Sequence, residues 1–212
     1  MNNSKIHLPS RRRVLLLYSG GFDSSVLLRA LLDKNNTVEC LLVDYGQRHK
    51  LELSYARRFA ALHDVAVHER TIAMPQNNAL TNIDEPLNGK EEEYDFIVPY
   101  RNMILLSHGC SIAKQEGLDV VAFGANWDDS KIFGDCRPEF IQAMSKAASM
   151  CHGVTIVAPF VEISKREIVT RVANLMTPRF NAADTYSCYG GEKPCGWCGA
   201  CKKRDEALTQ LV

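Results

Sequence analysis

The chain has 212 residues, a length that suits one compact domain with a substantial core, because folding at this size buries roughly 70% of the unfolded surface. Its 25 lysine and arginine residues balance 25 aspartate and glutamate residues, so its charge favours neither nucleic acid nor an anionic membrane as a partner. No apolar run approaches the roughly 20 residues of a membrane span or resembles a signal peptide. We therefore expect a cytoplasmic protein that acts on small molecules.

Strand-like apolar runs alternate with helix-like segments along the chain. In chain order we predict a strand at 13–18, a helix at 24–32, a strand at 38–45, a helix at 51–62, a strand at 65–71, a helix at 101–115, a strand at 120–124, a helix from Pro138, a strand at 155–158, and helices at 165–174 and 201–210. Residues 73–94, rich in proline, asparagine and glycine, are predicted to form a long mobile flap. Because such alternation produces a parallel sheet, the prediction is an α/β fold.

A glycine-rich segment, Ser19-Gly20-Gly21-Phe22-Asp23-Ser24, lies between the first strand and the first helix. Its glycines allow close approach of an anion, and the amides and dipole at a helix start favour phosphate. Asp23 requires Mg²⁺, a lysine or an arginine if it is to lie among phosphates. The segment matches neither the Walker A loop nor the dinucleotide-binding pattern, and a turn that merely needs glycine is the alternative.

Four of the eight cysteines are closely spaced near the end of the chain: Cys188, Cys195, Cys198 and Cys201. Four thiolates suit a tetrahedral zinc ion with no open coordination position, so we expect a structural metal. An iron–sulfur cluster and disulfides are the alternatives. Three further cysteines are expected to be buried: Cys40, Cys110 and Cys151.

The glycine-rich segment resembles the PP-loop of the N-type ATP pyrophosphatases. This resemblance implies the Rossmann-like (HUP, adenine nucleotide alpha hydrolase-like) fold, a parallel sheet with helices on both faces, over residues 1–180. A small C-terminal zinc-binding lobe would then occupy residues 181–212. It also implies that ATP, bound with Mg²⁺, is cleaved between its α and β phosphates, so that AMP passes to the substrate.

Four segments narrow the resemblance from this superfamily to one family, and with the cysteines they span nearly the whole chain. They are 43–49 (VDYGQRH), 98–102 (VPYRN), 135–140 (DCRPEF) and 187–196 (SCYGGEKPCG). They are similar to the QueC family, the 7-cyano-7-deazaguanine synthases. That similarity implies an enzyme that uses ATP to convert 7-carboxy-7-deazaguanine and ammonia into the nitrile, through an adenylated carboxylate and an amide. We also expect a homodimer.

The resemblance implies roles for individual residues. Those expected to bind ATP are Tyr18, Ser19, Gly20, Gly21, Phe22, Asp23, Ser24, Val43, Tyr45, Arg101 and Gly124. Those expected to bind the deazaguanine substrate are Asn126, Asp129, Phe133, Asp135 and Arg137. Those expected to act in catalysis are Ser19, Asp23, Ser24, Arg101 and Lys165.

Each of these assignments has a simpler alternative. Arg101 and Arg137 would be surface charges, Lys165 a solvated lysine, and Asp135 a cap of the helix from Pro138. Aromatic residues of this region are alternatively part of the core and not a stacking platform for a purine-like ring: Trp127, Phe133 and Phe160.

The chain departs from the family between Asn126 and Asp135. The family usually has a small residue after the asparagine and a Ser-Gly-Tyr-Pro stretch before the aspartate, whereas here Trp127 and Lys131-Ile132 are found. A changed nitrogen acceptor is therefore an alternative: a ligase that joins the adenylated carboxylate to another amine, such as a protein amine in bacterial defence, or an enzyme that stops at the amide. A nucleic-acid-binding module related to tRNA thiolases is the alternative from another class, and the neutral charge weighs against it.

Overall fold

The structure, a computed structural model, describes residues 6–75, 78–190 and 193–211. Its helices and strands are, in chain order, β1 (Arg13–Leu17), α1 (Phe22–Leu32), β2 (Thr37–Asp44), α2 (Leu51–Leu62), β3 (Ala66–Thr71), α3 (Arg101–Gln115), β4 (Val120–Phe123), α4 (Trp127–Ser130), α5 (Pro138–His152), β5 (Thr155–Val157), α6 (Lys165–Arg171) and α7 (Gly199–Leu208). Among these residues no helix has the length and apolar character needed to cross a membrane.

One sheet organises the molecule. Its strands lie in the order β3-β2-β1-β4-β5, and every neighbouring pair is parallel. The centre of β1 is fully buried because Leu15 pairs with Glu39 of β2 on one side and Val121 of β4 on the other. After β1 the chain adds β2 and β3 on one side of this strand, and it later adds β4 and β5 on the other side. In parallel α/β sheets this reversal creates a crevice at the carboxyl ends of the two strands, where ligands bind.

Helices cover both faces of the sheet, which confirms the predicted α/β architecture. Alternate residues of each strand point to opposite faces. One core therefore contains Val14 and Leu16 of β1 together with buried residues of α1, α2 and α6. The other contains Leu15 with buried residues of α3 and Ile141 of α5. The two cores hold β1 and β4 rigidly, so the loops that follow these strands have fixed positions.

The predicted boundaries hold closely for most elements, and α2 and α3 begin and end at the predicted residues. Helix α6 is shorter than predicted: it ends at Arg171 and a 3₁₀ turn follows at Ala173–Leu175. Helix α7 begins earlier than predicted, since Cys198 accepts a hydrogen bond from the Cys201 amide and caps it. The described part of 73–94 contains no regular element before the 3₁₀ turn at Glu93–Phe96, and its predicted mobility stays a prediction.

Candidate active site

The glycine-rich loop connects β1 to α1 at the carboxyl edge of the sheet. Gly21 caps α1 without a side-chain hydrogen bond, and the first-turn amides have no partner within the helix. The Phe22 amide donates instead to Ser187 Oγ. Ser19 Oγ accepts a hydrogen bond from the Gly21 amide and lies 3.1 Å from Ser24 Oγ. This arrangement gives an anion a concave set of amide and hydroxyl donors at the positive end of a helix dipole.

Gly20 allows the loop to pack closely against α2. Its φ is +78°, and a Cβ atom at this position would lie 2.4 Å from the carbonyl oxygen of Glu52 and 2.8 Å from the amide nitrogen of Ala56. No side chain fits in that space, so only glycine satisfies both the left-handed conformation and the contact. The loop is therefore held in one conformation by the backbone of α2.

A buried ion pair lies at the start of α1. Lys165 Nζ of α6 is 2.8 Å from Asp23 Oδ2, and the two side chains are only 12% and 14% exposed. The other oxygen of Asp23, Oδ1, is buried and has no hydrogen-bond partner among the described residues. Burial alone would lower the pKa of Lys165, but the carboxylates of Asp23 and Asp129 raise it above its ordinary value. Lys165 is therefore a buried cation paired with a carboxylate, and not a solvated lysine.

Asn126 connects Asp23 to a second carboxylate. Its Nδ2 donates to Asp129 Oδ2 at 2.8 Å and to Asp23 Oδ2 at 3.2 Å, while its Oδ1 accepts from the amides of Asp128 and Asp129 and caps α4. Asn126 is fully buried. Burial raises the pKa of Asp129 to about 6, a rise that Lys165 opposes and Asp23 increases.

These groups line a cleft of about 260 Å³ at the reversal between β1 and β4. With the exception of Gly20, which packs on α2, all the residues predicted to bind ATP line it: Tyr18, Ser19, Gly21, Phe22, Asp23, Ser24, Val43, Tyr45, Arg101 and Gly124. Asp129 and Lys165 line the same cleft. The backbone of Gly124 lies close to the start of α1, so that a Cβ atom at this position would approach the Ser24 amide nitrogen to 3.2 Å.

A second cavity, of about 340 Å³, adjoins the cleft at Arg101. Its walls are largely apolar: Ile97, Val98, Tyr100, Met103, Ile132, Phe133 and Phe140. Arg101 and Asp135 supply its charged groups, and Arg101 also reaches the cleft, where Nη1 donates to the Tyr45 hydroxyl at 3.4 Å. Arg101 therefore lines both cavities and is not simply a surface charge in an exposed ion pair.

Asp135 also has a structural contact. Its Oδ2 accepts a hydrogen bond from the Asn102 amide in the first turn of α3 at 3.1 Å. The helix that it caps is therefore α3, and the alternative that it caps the helix from Pro138 is wrong: that helix begins after Arg137 with no side-chain cap.

Arg137, the last of the predicted substrate residues, lines neither of these two cavities. Arg137 is exposed and donates from Nε to the Ser130 carbonyl. Phe160 is fully buried in the core and Trp127 is 47% exposed, so of the three aromatic residues only Phe133 lines the second cavity.

The expectation that Cys151 is buried is wrong, because it lies on the exposed side of α5, and Cys110 is only partly buried.

The four C-terminal cysteines converge. The Sγ atoms of Cys188, Cys195, Cys198 and Cys201 all lie within 4.8 Å of one another. A tetrahedral zinc site with Zn–S bonds of about 2.3 Å places its sulfurs about 3.8 Å apart, so the donor set fits a metal ion. Amides of Gly190 and Cys195 donate to Cys188 Sγ, as they would to a thiolate. The four cysteines are thus positioned so that they could hold one metal ion.

The cysteine lobe contacts the glycine-rich loop directly. The Phe22 amide donates to Ser187 Oγ at 3.2 Å, and the Tyr186 amide donates to the Gly20 carbonyl at 3.0 Å. Ser187 and Tyr189 line the cleft with the loop. Residues on both sides of Cys188 therefore form part of the nucleotide-sized cleft.

Among the polar residues of the cleft that the predicted site omits are His49 and Glu52. His49 Nε2 lies 3.2 Å from Glu52 Oε2, with both side chains buried at the start of α2. The sequence offered one signal for this pair: a histidine and a glutamate three residues apart at a predicted helix start, a spacing at which two side chains can interact.

A parallel α/β sheet with a glycine-rich loop at its reversal point is the arrangement of a PP-loop-type fold, and here residues of a four-cysteine lobe also line the cleft. Among solved structures, the U34-tRNA thiolase NcsA from Methanococcus maripaludis with its [4Fe-4S] cluster shares this fold, with a TM-score of 0.53 and 16% identity over 95% of this chain and 66% of that chain. At that identity the similarity concerns the fold alone.

Sequence comparison identifies the family. Residues 13–212 match the model of the queuosine biosynthesis protein QueC. The chain is 35% identical to the 7-cyano-7-deazaguanine synthase of Marinomonas sp. (strain MWYL1) over 93% of this chain and 94% of that one. It is 37% identical to that of Alteromonas mediterranea (strain DSM 17117 / CIP 110805 / LMG 28347 / Deep ecotype) over 92% and 93% respectively. The chain belongs to the QueC family.

Proposed function

We propose that this protein is a 7-cyano-7-deazaguanine synthase, which uses two ATP molecules to convert 7-carboxy-7-deazaguanine and ammonia into the nitrile. The observation that carries the proposal is the pairing of Asp23 and Lys165 beside the anion-binding loop, in a cleft whose wall is shared with a second, aromatic-lined cavity. Relatives of this name that match nearly the full chain support it.

ATP binds in the cleft in this proposal. The loop amides and the hydroxyls of Ser19 and Ser24 hold the two terminal phosphates at the start of α1, and Lys165 adds a positive charge next to them. Gly124 and Val43 form apolar surface for the rest of the nucleotide.

Mg²⁺ is the cation that we assign to the nucleotide. The buried, unpartnered Oδ1 of Asp23 supplies the hard oxygen ligand that Mg²⁺ prefers. A magnesium ion held by this oxygen would supply positive charge for the pyrophosphate leaving group. Lys165 holds the second oxygen of Asp23, so the carboxylate keeps one orientation.

The deazaguanine ring occupies the second cavity. Phe133 and Phe140 provide apolar and aromatic surface for a planar base, and Asp135 provides an acceptor for an amidine-like N–H edge. Arg101, on the wall shared with the cleft, pairs with the substrate carboxylate and directs it toward the α-phosphate. Asn126, Asp129 and Arg137 stay predictions as substrate contacts.

The chemistry follows from the poor leaving group of a carboxylate. Transfer of AMP to the carboxylate oxygen breaks the bond between the α and β phosphates and creates a good leaving group. Ammonia then displaces AMP to give the amide. A second adenylation, on the amide oxygen, allows that oxygen to leave with AMP and the nitrile to form.

The four cysteines hold zinc in this proposal. Four thiolates would leave no open coordination position, so the ion would fix the lobe that carries Ser187 and Tyr189 and would take no part in the reaction. A homodimer, a cytoplasmic location and a separate lobe at 181–212 stay predictions from the sequence.

Product analysis tests the proposal. Purified protein is incubated with Mg-ATP, 7-carboxy-7-deazaguanine and ammonium, and the products are identified by mass spectrometry and phosphorus NMR. We expect AMP, pyrophosphate and the nitrile. ADP and orthophosphate would contradict adenylation, and accumulation of the amide alone, or modification of an added protein amine, would identify a variant activity.

A further inference from the structure

His49 and Glu52 form a buried pair on the wall of the ATP cleft. The Nε2 atom of His49 is 3.2 Å from Glu52 Oε2, and the two side chains are 7% and 10% exposed. His49 Nδ1 is buried and has no hydrogen-bond partner among the described residues. A histidine of this kind has one ring nitrogen fixed and the other unused.

The contact with Glu52 selects the tautomer of a neutral His49. A carboxylate only accepts hydrogen bonds, so Nε2 carries the proton and Nδ1 carries the lone pair. A base with its far nitrogen oriented by a carboxylate is the arrangement that general-base histidines use in catalysis.

Glu52 is itself held in place. Gln47 Nε2 donates to Glu52 Oε1 at 3.3 Å and to the Val43 carbonyl at 3.1 Å, and Gln47 Oε1 accepts from the Tyr45 amide at 2.8 Å. Gln47 is fully buried, and these contacts fix the orientation of its amide group. The carboxylate of Glu52 therefore has a defined position relative to the sheet.

The pair lies beside the phosphate-binding loop. The carbonyl of Glu52 packs against Gly20, and the ring of His49 contacts the ring of Tyr189 in the cysteine lobe, with centroids 5.7 Å apart. His49, Glu52 and Tyr189 line the same cleft as Lys165 and Arg101. The unused nitrogen thus belongs to a residue of the reaction cleft.

The proposed reaction, on which this inference rests, releases protons from nitrogen. When ammonia attacks the acyl adenylate, a C–N bond forms, the C–O bond to AMP breaks with its electron pair going to AMP, and the surplus N–H proton must leave. Formation of the nitrile from the adenylated amide releases N–H protons in the same way. A base in the cleft is therefore required in the nitrogen-dependent steps and not in adenylation.

We propose that His49 Nδ1 accepts the nitrogen-bound proton in the steps after adenylation, with Glu52 as the residue that positions it. The proton accepted on Nδ1 is released from the cleft before the next turnover. Removal of the base affects amide formation and leaves the first adenylation intact.

The test separates the two half-reactions in the full-length protein. Adenylation is measured without ammonium, as exchange of labelled pyrophosphate into ATP in the presence of 7-carboxy-7-deazaguanine, and amide formation is measured by mass spectrometry after ammonium is added. For His49→Gln we expect exchange within about twofold of wild type and amide formation slower by about 100-fold or more, the usual contribution of a general base. Retained exchange also shows that the variant is folded.

Glu52→Gln provides a second variant. Gln47 Nε2 faces Oε1, so the new amide presents its NH₂ group to His49 and favours the wrong tautomer. We expect amide formation to fall by about 10-fold or more with exchange preserved. Hydroxylamine is more nucleophilic and less basic than ammonia, and its adduct loses a proton to water readily, so it restores acyl transfer in His49→Gln.

His68→Gln is the matched control, since His68 Nε2 pairs with Glu39 Oε2 at 2.6 Å outside the cleft. We expect wild-type rates in both half-reactions. Wild-type amide formation in His49→Gln, or an equal loss of exchange and amide formation, would overturn the role of His49. Absence of pyrophosphate exchange in the wild-type protein would instead overturn the proposed function.

Discussion

Ser187 Oγ accepts a hydrogen bond from the backbone amide of Phe22 at 3.2 Å. Ser187 directly precedes Cys188, and Phe22 is the first residue of α1. This hydrogen bond therefore joins the cysteine lobe to the glycine-rich loop at the start of α1. It makes the lobe a wall of the cleft, and it leads to two predictions.

Ser187→Ala is expected to lower the free energy of unfolding by about 1 kcal/mol, because the Phe22 amide loses its acceptor. Urea denaturation measures the change. Ser54→Ala is the control: its exposed hydroxyl donates to the Leu51 carbonyl within α2, and we expect a loss below about 0.5 kcal/mol. Equal losses in the two variants would show that the Ser187 contact contributes nothing specific.

Removal of the metal is expected to weaken ATP binding, although the cysteines lie outside the phosphate loop. Opening of the lobe breaks the contacts of Tyr186 with Gly20 and of Ser187 with Phe22. Two hydrogen bonds of about 1 kcal/mol each correspond to a loss of affinity of up to about 30-fold. Calorimetric titration of ATP into holo and chelator-treated protein measures it, with metal content followed by mass spectrometry.

Cysteine variants separate metal loss from effects of the chelator. Cys195→Ser removes one ligand of the four, whereas Cys151→Ser changes an exposed cysteine of α5. We expect only the first to lose metal and ATP affinity together. A metal-free Cys195→Ser protein that binds ATP like wild type would show that the lobe does not support the loop.

Gly20→Ala is expected to destabilise the protein by about 3 kcal/mol and to abolish ATP binding. The left-handed φ of +78° costs about 1 kcal/mol for a residue with a side chain, and overlap of Cβ with the Glu52 carbonyl costs a further 1–3 kcal/mol, in the manner of an overpacked core. Thermal and urea denaturation measure the loss.

Gly153→Ala isolates the steric part of that effect. Gly153 has nearly the same φ, +76°, but among the described residues no heavy atom beyond its neighbours in the chain lies within 4 Å of the position of its Cβ. It ends α5, away from the cleft. We therefore expect a loss of about 1 kcal/mol with normal ATP binding. If both variants lost the same stability, the packing of Gly20 against α2 would be unimportant.

Local patterns were sufficient to predict most of the fold. The strand, glycine turn and helix around Gly20 and Gly21 follow from residue types next to one another, and the capping box of Ser164 with Glu167 correctly gave the start of α6. The convergence of four cysteines followed from their spacing. Each of these features depends on short-range geometry, which the order of residues determines directly.

Contacts between distant segments were not predictable in the same way. The pairing of Lys165 with Asp23 depends on how α6 packs over α1, and the capping of α3 by Asp135 depends on the path of the segment before α5. Cys151 was misassigned because helical periodicity alone does not reveal which side of α5 faces solvent. Family resemblance named Asp23 and Lys165, but only the packing of the sheet shows that they touch.

Asp129→Asn is expected to stabilise the protein, and to do so more at pH 8 than at pH 5. Burial raises the pKa of Asp129 from 3.8 to about 6 in the folded protein, so the folded state holds this proton more tightly than the unfolded chain does. The stabilisation that comes from this bound proton is complete below about pH 3.8 and is lost as the pH rises through 6. The free energy of unfolding falls by about 3 kcal/mol in total over this range. Asparagine carries no charge and avoids that cost. The advantage of the variant should therefore grow by about 1 kcal/mol between pH 5 and pH 8.

Asp128→Asn, at the neighbouring position, is the control for this pH effect. Although burial opposes it, hydrogen bonds from the Lys165 amide and from Lys131 lower the pKa of Asp128 below its ordinary value. Its stabilising charge is therefore complete at both pH 5 and pH 8 and is lost only in more acidic solution. We expect this variant to be less stable than wild type by a similar amount at both pH values, measured by urea denaturation without ATP or Mg²⁺. A constant advantage of Asp129→Asn across the same range would show that the carboxyl group of Asp129 does not carry the cost of a buried charge.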